Sequence, residues 1–198
     1  MELHDIIKKR HAAKLFTGEK ISSEHLEKLK ESIRLAPSSF NWQPWKIKIV
    51  SDKKVLESLY KASYDQPQVK TASHLFVFCS FNSLQDNNNK LLDEMKPNMP
   101  KEKFDDFKIM LESALKNMSP EEQERMSERE LFLAVQNLLL TATSLELASC
   151  PMGGFAHAEY AKILELPENL KAIVVVPVGI SVEEPRQKFR FAHEDIFF

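Results

Sequence analysis

Four glycines and two cysteines in 198 residues are few, and each shortage excludes chemistry. Gly18, Gly153, Gly154 and Gly179 are spaced so that neither GxGxxG nor GxxxxGK[ST] occurs. Those are the glycine-rich turns that bring main-chain N–H groups against nucleotide phosphates. GxSxG and HExxH are absent too, which removes the nucleophile elbow and the zinc-protease helix. Cys79 and Cys150 lie far apart without CxxC or CxH spacing. The chain therefore offers no cysteine zinc site and no disulfide scaffold, and suits a reducing compartment. The six histidines never pair at metal-ligand spacing on one helix face, so no metal is expected. Ser51-Asp52-Lys53-Lys54 satisfies SxxK but lacks the motifs that accompany it in penicillin-binding enzymes, and reads as a helix cap.

An excess of either charge is also missing. Lys and Arg number 27 against 29 Asp and Glu, a net charge of −2, so neither nucleic acid nor an anionic membrane is an expected partner. The opening "MELHDIIKKRHAAK" is charged at once and does not resemble a signal peptide, so the expected location is cytoplasmic. There is no repeat, no low-complexity tract and no Gly/Ser linker.

What is present is a helix–strand alternation on ordinary globular composition, 43% hydrophobic and 28% charged. Leu3, Ile6, Ile7 and Arg10 share a helical face. Ser22 or Ser23 caps a second helix carrying Leu26, Leu29, Ile33 and Ala36, closed by Pro37. "WKIKIV" alternates as a strand, Asp52 to Ala62 reads as a helix, and "HLFVFC" reads as a strand covered on both faces. Residues 87–118 are polar and helical with a stripe at Phe104, Phe107, Leu111, Ala114, Leu115 and Met118. Ser119-Pro120-Glu121-Glu122 is a strong helix start. Leu131 to Ala148 is apolar nearly all round and predicts a helix through the middle of the globule. After the Gly153-Gly154 break, Ala158 to Leu164 predicts a short helix. "AIVVVPVGI" predicts a buried strand with a bulge or edge at Pro177. The pattern is a layered α+β or α/β domain.

Three features do not fit a plain core or a plain surface. "LAPSSFNWQPW", Leu35 to Trp45, packs two tryptophans among serines and amides. Residues 183–198 hold Phe189, Phe191, Ile196, Phe197 and Phe198 without a pattern that buries them on themselves. Two basic clusters, Arg10-His11 with Lys14, and Arg186, Lys188 and Arg190, stand at opposite ends of the chain. Together with the Gly-Gly turn they supply cations, short polar donors, flat apolar walls and bare backbone, the parts that hold a flat phosphorylated heteroaromatic.

"RHAAKLF", "LAPSSFNWQPW", "ASHLFVFC", "PMGGF" and "VVVPVGI…PRQKFRF" resemble, in order and spacing, the FMN-dependent nitroreductase family, in its oxygen-insensitive NAD(P)H nitroreductase and dihydropteridine reductase-like branch. The resemblance spans residues 1–198 as one domain and is weakest from Ser83 to Ser127. It implies an α+β fold, an α/β sandwich with a mainly antiparallel central sheet flanked by helices. It implies an intertwined homodimer in which a C-terminal arm, 183–198, is exchanged and adds to the partner's sheet. It further implies that Arg10, Lys188 and Arg190 grip the FMN phosphate and that Lys14 stands beside flavin N1. Pro37, Ser38, Ser39 and Asn41 would arrive from the second subunit, with the tryptophans anchoring that loop. Gly153 would present its N–H to flavin N5. His11, Ala12, Pro151, Met152 and Gly154 would complete the cofactor wall, with Asp65, Gln66 and Gln68 on its border. Ala12, Asp65, Gln68 and Gly153 depart from the serine, asparagine, lysine and glutamate that relatives carry. The 87–118 excursion would roof the site, with Phe104, Phe107 and Met110 edging a substrate slot. The implied activity is two-electron hydride transfer from NADH or NADPH, through N5, to nitroaromatics, quinones or similar acceptors in ping-pong order. The alternatives are a flavin-storage module without turnover, or a specialised pteridine or flavin reductase.

Overall fold

The computed structural model describes residues 2–198. In chain order the elements are α1 (Leu3–Lys9), α2 (Ser23–Arg34), β1 (Trp45–Val50), α3 (Lys53–Lys61), α4 (Pro67–Thr71), β2 (His74–Phe81), α5 (Gln85–Met95), α6 (Lys101–Lys116), α7 (Pro120–Ser144), β3 (Ala148–Ser149), α8 (His157–Leu164) and β4 (Leu170–Gly179). Three of the helices, α2, α3 and α7, begin where short polar side chains satisfy free N–H groups. Ser22 accepts from the His25 N–H at 3.1 Å, and Asp52 accepts from Lys54 and Val55 at 2.9 and 3.0 Å. At α7, Ser119 and Glu122 form a reciprocal capping box, as Ser-Pro-Glu-Glu predicts.

The four strands form one antiparallel sheet in the order β1-β2-β4-β3. Every residue of β2 is buried, because both sheet faces are covered. Phe76, Phe78, Val174, Val176 and Val178 turn toward α2 and α7, packing with Leu29, Ile33, Leu131 and Leu138. Leu75, Val77, Cys79, Ala172 and Val175 turn the other way, onto Leu56, Leu59, Tyr160 and Leu164 of α3 and α8. The period-2 alternation holds along β2 and is offset on β4 opposite Phe78/Cys79, where Ala172 and Val174 face opposite sides; both alternating sets are apolar, hence the unbroken hydrophobic run.

Three expectations are corrected. The helix read as Leu131 to Ala148 ends at Ser144, where Glu146 adopts a left-handed φ of 61° and the Leu147 N–H returns to the Ala142 carbonyl at 2.9 Å. Ala148 and Ser149 then pair with Gly179 and Val178 as a strand. Nor is α7 covered all round: Phe132 and Leu133 are 49% and 45% exposed. Pro177 marks neither an edge strand nor a bulge, since β4 lies between β2 and β3 and the register shift falls at Phe78/Cys79. Val175 exchanges bonds with Met152 and the Pro177 carbonyl accepts from Cys150, so Pro177 turns its donorless nitrogen toward the short β3 side and the β2 ladder loses nothing.

The stripe on α6 belongs to a separate cluster. Leu111 and Leu115 pack with Leu84, Leu91, Leu92 and Trp42, and Phe104 and Phe107 lean on the same group. Phe104 and Phe107 therefore contribute to that packing, while Met110 is exposed.

Candidate cofactor site

The two basic clusters meet. After α1 the chain runs extended along the sheet, with Ala12 bridging Ser149 and Phe16 bridging Ser181. Ala13 and Phe16 fill a small core with Ala72 and Ala148. Gly179 permits this approach, because a Cβ there would stand 3.1 Å from the Ser73 nitrogen and 3.2 Å from the Phe16 ring. The chain returning from β4 lies against this N-terminal strap: Thr17 donates to the Ile180 carbonyl at 2.9 Å and Val182 to Leu15 at 3.3 Å. Arg10, His11 and Ala12 thus face Arg186, Lys188 and Arg190 across a cavity of about 370 Å³.

Its electrostatics favour an anion. Burial, and then the Arg190 guanidinium, lower the pKa of Arg10. Burial, then Arg10 and Arg190, do the same to Lys188, whose ammonium donates to the Ile7 carbonyl. Crowded cations of this kind repel one another until a negative group joins them. A phosphate monoester, with nearly two charges and several acceptor oxygens, is such a group. The side chains present therefore fit the phosphate of FMN.

Lys14 extends from the same strap, and its ammonium donates to Cys150 Sγ at 3.4 Å. Burial raises the Cys150 pKa, with Lys14 pulling the other way. Beyond Cys150, Pro151 is exposed and Met152 is buried, its main chain exchanging bonds with Val175 at 2.9 and 3.0 Å. Met152 is the strut from which the Gly-Gly turn hangs. A Cβ at Gly153 would meet no protein atom beyond its chain neighbours within 4 Å, and among the described residues its N–H has no hydrogen-bond partner. Gln66 donates to the Gly154 carbonyl at 2.9 Å, while Gln68, buried, donates to Gln66 at 3.1 Å and to Met152 Sδ at 3.3 Å. Of the three border residues it is Gln66 that reaches the turn. Asp65 is held by Lys61 at 2.7 Å, and that bond lowers its pKa.

The Leu35–Trp45 loop lies elsewhere. Trp42 is 2% exposed, with its indole N–H on Asn88 Oδ1 at 3.0 Å, and Trp45 is buried in the main core. Asn87 ties the Trp42 and Gln43 carbonyls at 2.9 and 3.0 Å. The tryptophans do anchor the loop. Phe40, Asn41 and Gln43 hold left-handed φ values of 53°, 61° and 47°, fixed by this packing and by Ser38 Oγ accepting from the Gln43 N–H at 2.9 Å. Pro37 and Asn41 are exposed, and Ser39 gives both its N–H and its hydroxyl to Glu130 of α7, at 2.7 and 2.5 Å. The basic strap adjoins the far end of α7, where Lys9 stands 3.9 Å from Glu146. Glu130 and Ser144 are fourteen residues apart on that helix, roughly 20 Å at its usual rise. One chain does not bring its own loop to its own cation cluster.

Sequence reasoning missed Glu130 and Glu183, which fasten the loop and the strap. Neither has a local signal, because each partner is about 90 or more residues away.

The sequence pattern described as the nitroreductase family matches residues 7–180. YfkO of Bacillus subtilis (strain 168), assigned as an NAD(P)H nitroreductase, is 30% identical over 204 residues, covering 94% of this chain and 92% of the relative. The oxygen-insensitive NADPH nitroreductase of Helicobacter pylori (strain ATCC 700392 / 26695) is 29% identical over 195 residues, covering 96% and 92%. A protein from Exiguobacterium sibiricum 255-15, assigned as a nitroreductase and crystallised in complex with FMN, superposes with a TM-score of 0.90 at 23% identity, covering 99% of this chain and 96% of that one.

Proposed function

Because the chain belongs to the nitroreductase family, we propose that it is an FMN-dependent NAD(P)H oxidoreductase acting as a homodimer. The observation that carries this reading is the convergence of Arg10, Lys188 and Arg190 on one cavity from opposite ends of the chain. These three hold the phosphate. Lys14 places a cation where it offsets negative charge on the reduced ring, and the Gly153 N–H orients the ring from the glycine turn. When bound, FMN supplies the site that accepts and donates hydride. The chain binds, orients and excludes water. Residues 1–198 act as one domain, 87–118 as the roof and 183–198 as the arm.

The loop of Pro37, Ser38, Ser39 and Asn41 completes the site from the second subunit. Two features support a partner. The arm's aromatic residues and the Phe132-Leu133 flank of α7 are exposed on one chain. A groove of about 700 Å³, lined by Trp42, Trp45, Ile47, Ile49 and Leu91, runs beside β1, whose outer edge is unpaired among the described residues. A partner's arm docks there and adds to the sheet.

The acceptors are electron-poor small molecules, nitroaromatics and quinones. Chromatography of the cofactor released from purified protein decides the first step, with one FMN per chain expected; FAD or no flavin overturns the reading. Anaerobic NADH and NADPH should then bleach the protein, and an acceptor should restore its colour. A yellow protein that neither reagent bleaches would instead be a storage module.

A further inference from the structure

Two carboxylates, Glu183 and Glu184, line the cation cavity, and Glu183 is the one tied to the N-terminal strap. Glu183 is only partly exposed, its side chain at 29%. A negative group so close to a proposed phosphate weakens the phosphate's binding unless its charge is already engaged, and it is. Glu183 Oε2 accepts from two successive main-chain N–H groups, Lys14 at 2.5 Å and Leu15 at 3.0 Å. Its other oxygen stands 3.8 Å from the Arg186 guanidinium. Its own main chain is fixed by Ser181: the Glu183 N–H donates to the Ser181 hydroxyl at 3.0 Å, and that hydroxyl donates to the Glu183 carbonyl at 3.1 Å.

We propose that Glu183 is a positioning residue that ties the N-terminal strap to the root of the C-terminal arm and so sets where Lys14 stands. The inference rests on the FMN reading of this cavity. Lys14 is gripped at both ends, its N–H by Glu183 and its ammonium by the Cys150 thiol. The bonds from Lys14 and then Leu15 keep the Glu183 carboxyl ionised below the usual range for glutamate, so the tie is charge-assisted. Glu183 stands at the root of the arm, five residues before Lys188 touches the body again at the Ile7 carbonyl. An arm displaced from its dock pulls on Glu183, and through it on Lys14. Docking of the arm and tuning of the cofactor are thereby one mechanical event.

Residue-resolved amide exchange on the full-length apo-protein tests the tie without any flavin. In Glu183→Ala the Lys14 and Leu15 amides should exchange at least about tenfold faster, the loss expected for a bond to a charged acceptor. In Glu183→Gln, isosteric but neutral, the gain should be about threefold, since a neutral acceptor bond is about half as strong. Glu184→Ala, removing a neighbouring carboxylate with no hydrogen bond among the described residues, should leave both amides unchanged. With FMN added, Glu183→Ala should lower the flavin's two-electron midpoint potential, as Lys14→Ala is also expected to do, and Glu183→Gln should restore most of it. Wild-type exchange in both Glu183 variants overturns the tie. Faster exchange with an unshifted potential overturns the placement of Lys14. If the parent protein binds no FMN, the cofactor reading fails while the exchange result stands by itself.

Discussion

β2 and the C-terminal arm are both rich in phenylalanine, yet they stand in opposite surroundings. β2 carries Phe76, Phe78 and Phe81 and buries all of its residues. The arm carries Phe189, Phe191, Phe197 and Phe198, each at least 69% exposed. The difference lies in neighbours, not hydropathy. β2 is flanked by two strands and by helices on both faces, all supplied by its own chain. The arm has one short turn, at 193–195, and its internal aromatic contacts are Phe189 against Phe191 at 5.7 Å and His193 against Phe197 at 5.6 Å between ring centres. An apolar segment left without local cover is made for a surface the chain does not provide, and that surface is proposed to be a second copy.

The comparison breaks most severely if the arm is removed. Deletion after Pro185 takes away the apolar residues together with Lys188 and Arg190. Burial of such side chains contributes about 1.5–3 kcal/mol each, more in sum than a dimer absorbs. The truncated protein should be monomeric or aggregated, colourless and inactive with NAD(P)H. Sedimentation and an absorption spectrum check this, and a dimeric yellow product contradicts it.

Single phenylalanines sharpen the contrast. Phe78→Ala should lower the unfolding free energy by about 3–5 kcal/mol, at any protein concentration. Phe191→Ala should instead weaken association, so that its melting temperature depends on concentration while the dilute monomer melts like the parent. A smaller effect is expected at Arg190→Ala, about tenfold weaker FMN by fluorescence titration with the dimer intact, because one charged donor is lost. Smallest is Ser119→Ala, which breaks the α7 capping box and should cost about 1 kcal/mol in denaturant unfolding without moving cofactor affinity.

The parts of the molecule legible in the sequence are those held by near neighbours. Ser22, Asp52 and Ser119 announce their helices because a cap acts within three residues. "WKIKIV" and "HLFVFC" show their strands because side-chain direction alternates residue by residue. The end of α7 was not legible, since Leu145, Glu146 and Leu147 read as more helix and only pairing of Ala148 with Gly179 competes with it. The candidate site was half legible. Residue type pointed to Arg10, Lys14 and the glycine turn, and family resemblance to their roles. That the two basic clusters share a cavity is a product of strap and arm root lying side by side, which no local pattern encodes. Glu183 bonding across 169 residues, and Glu130 across 91, are of the same kind.

Of the protein's only tryptophans, Trp42 lies within the strained turn and Trp45 opens the edge strand. One is 2% and the other 9% exposed, so neither indole meets much solvent in the isolated chain. Intrinsic fluorescence therefore reports on a single neighbourhood instead of averaging over the fold. Both indoles line the groove proposed to receive the partner's arm. Emission wavelength and quenching by a soluble probe become a built-in optical gauge of assembly, readable during dilution without any label.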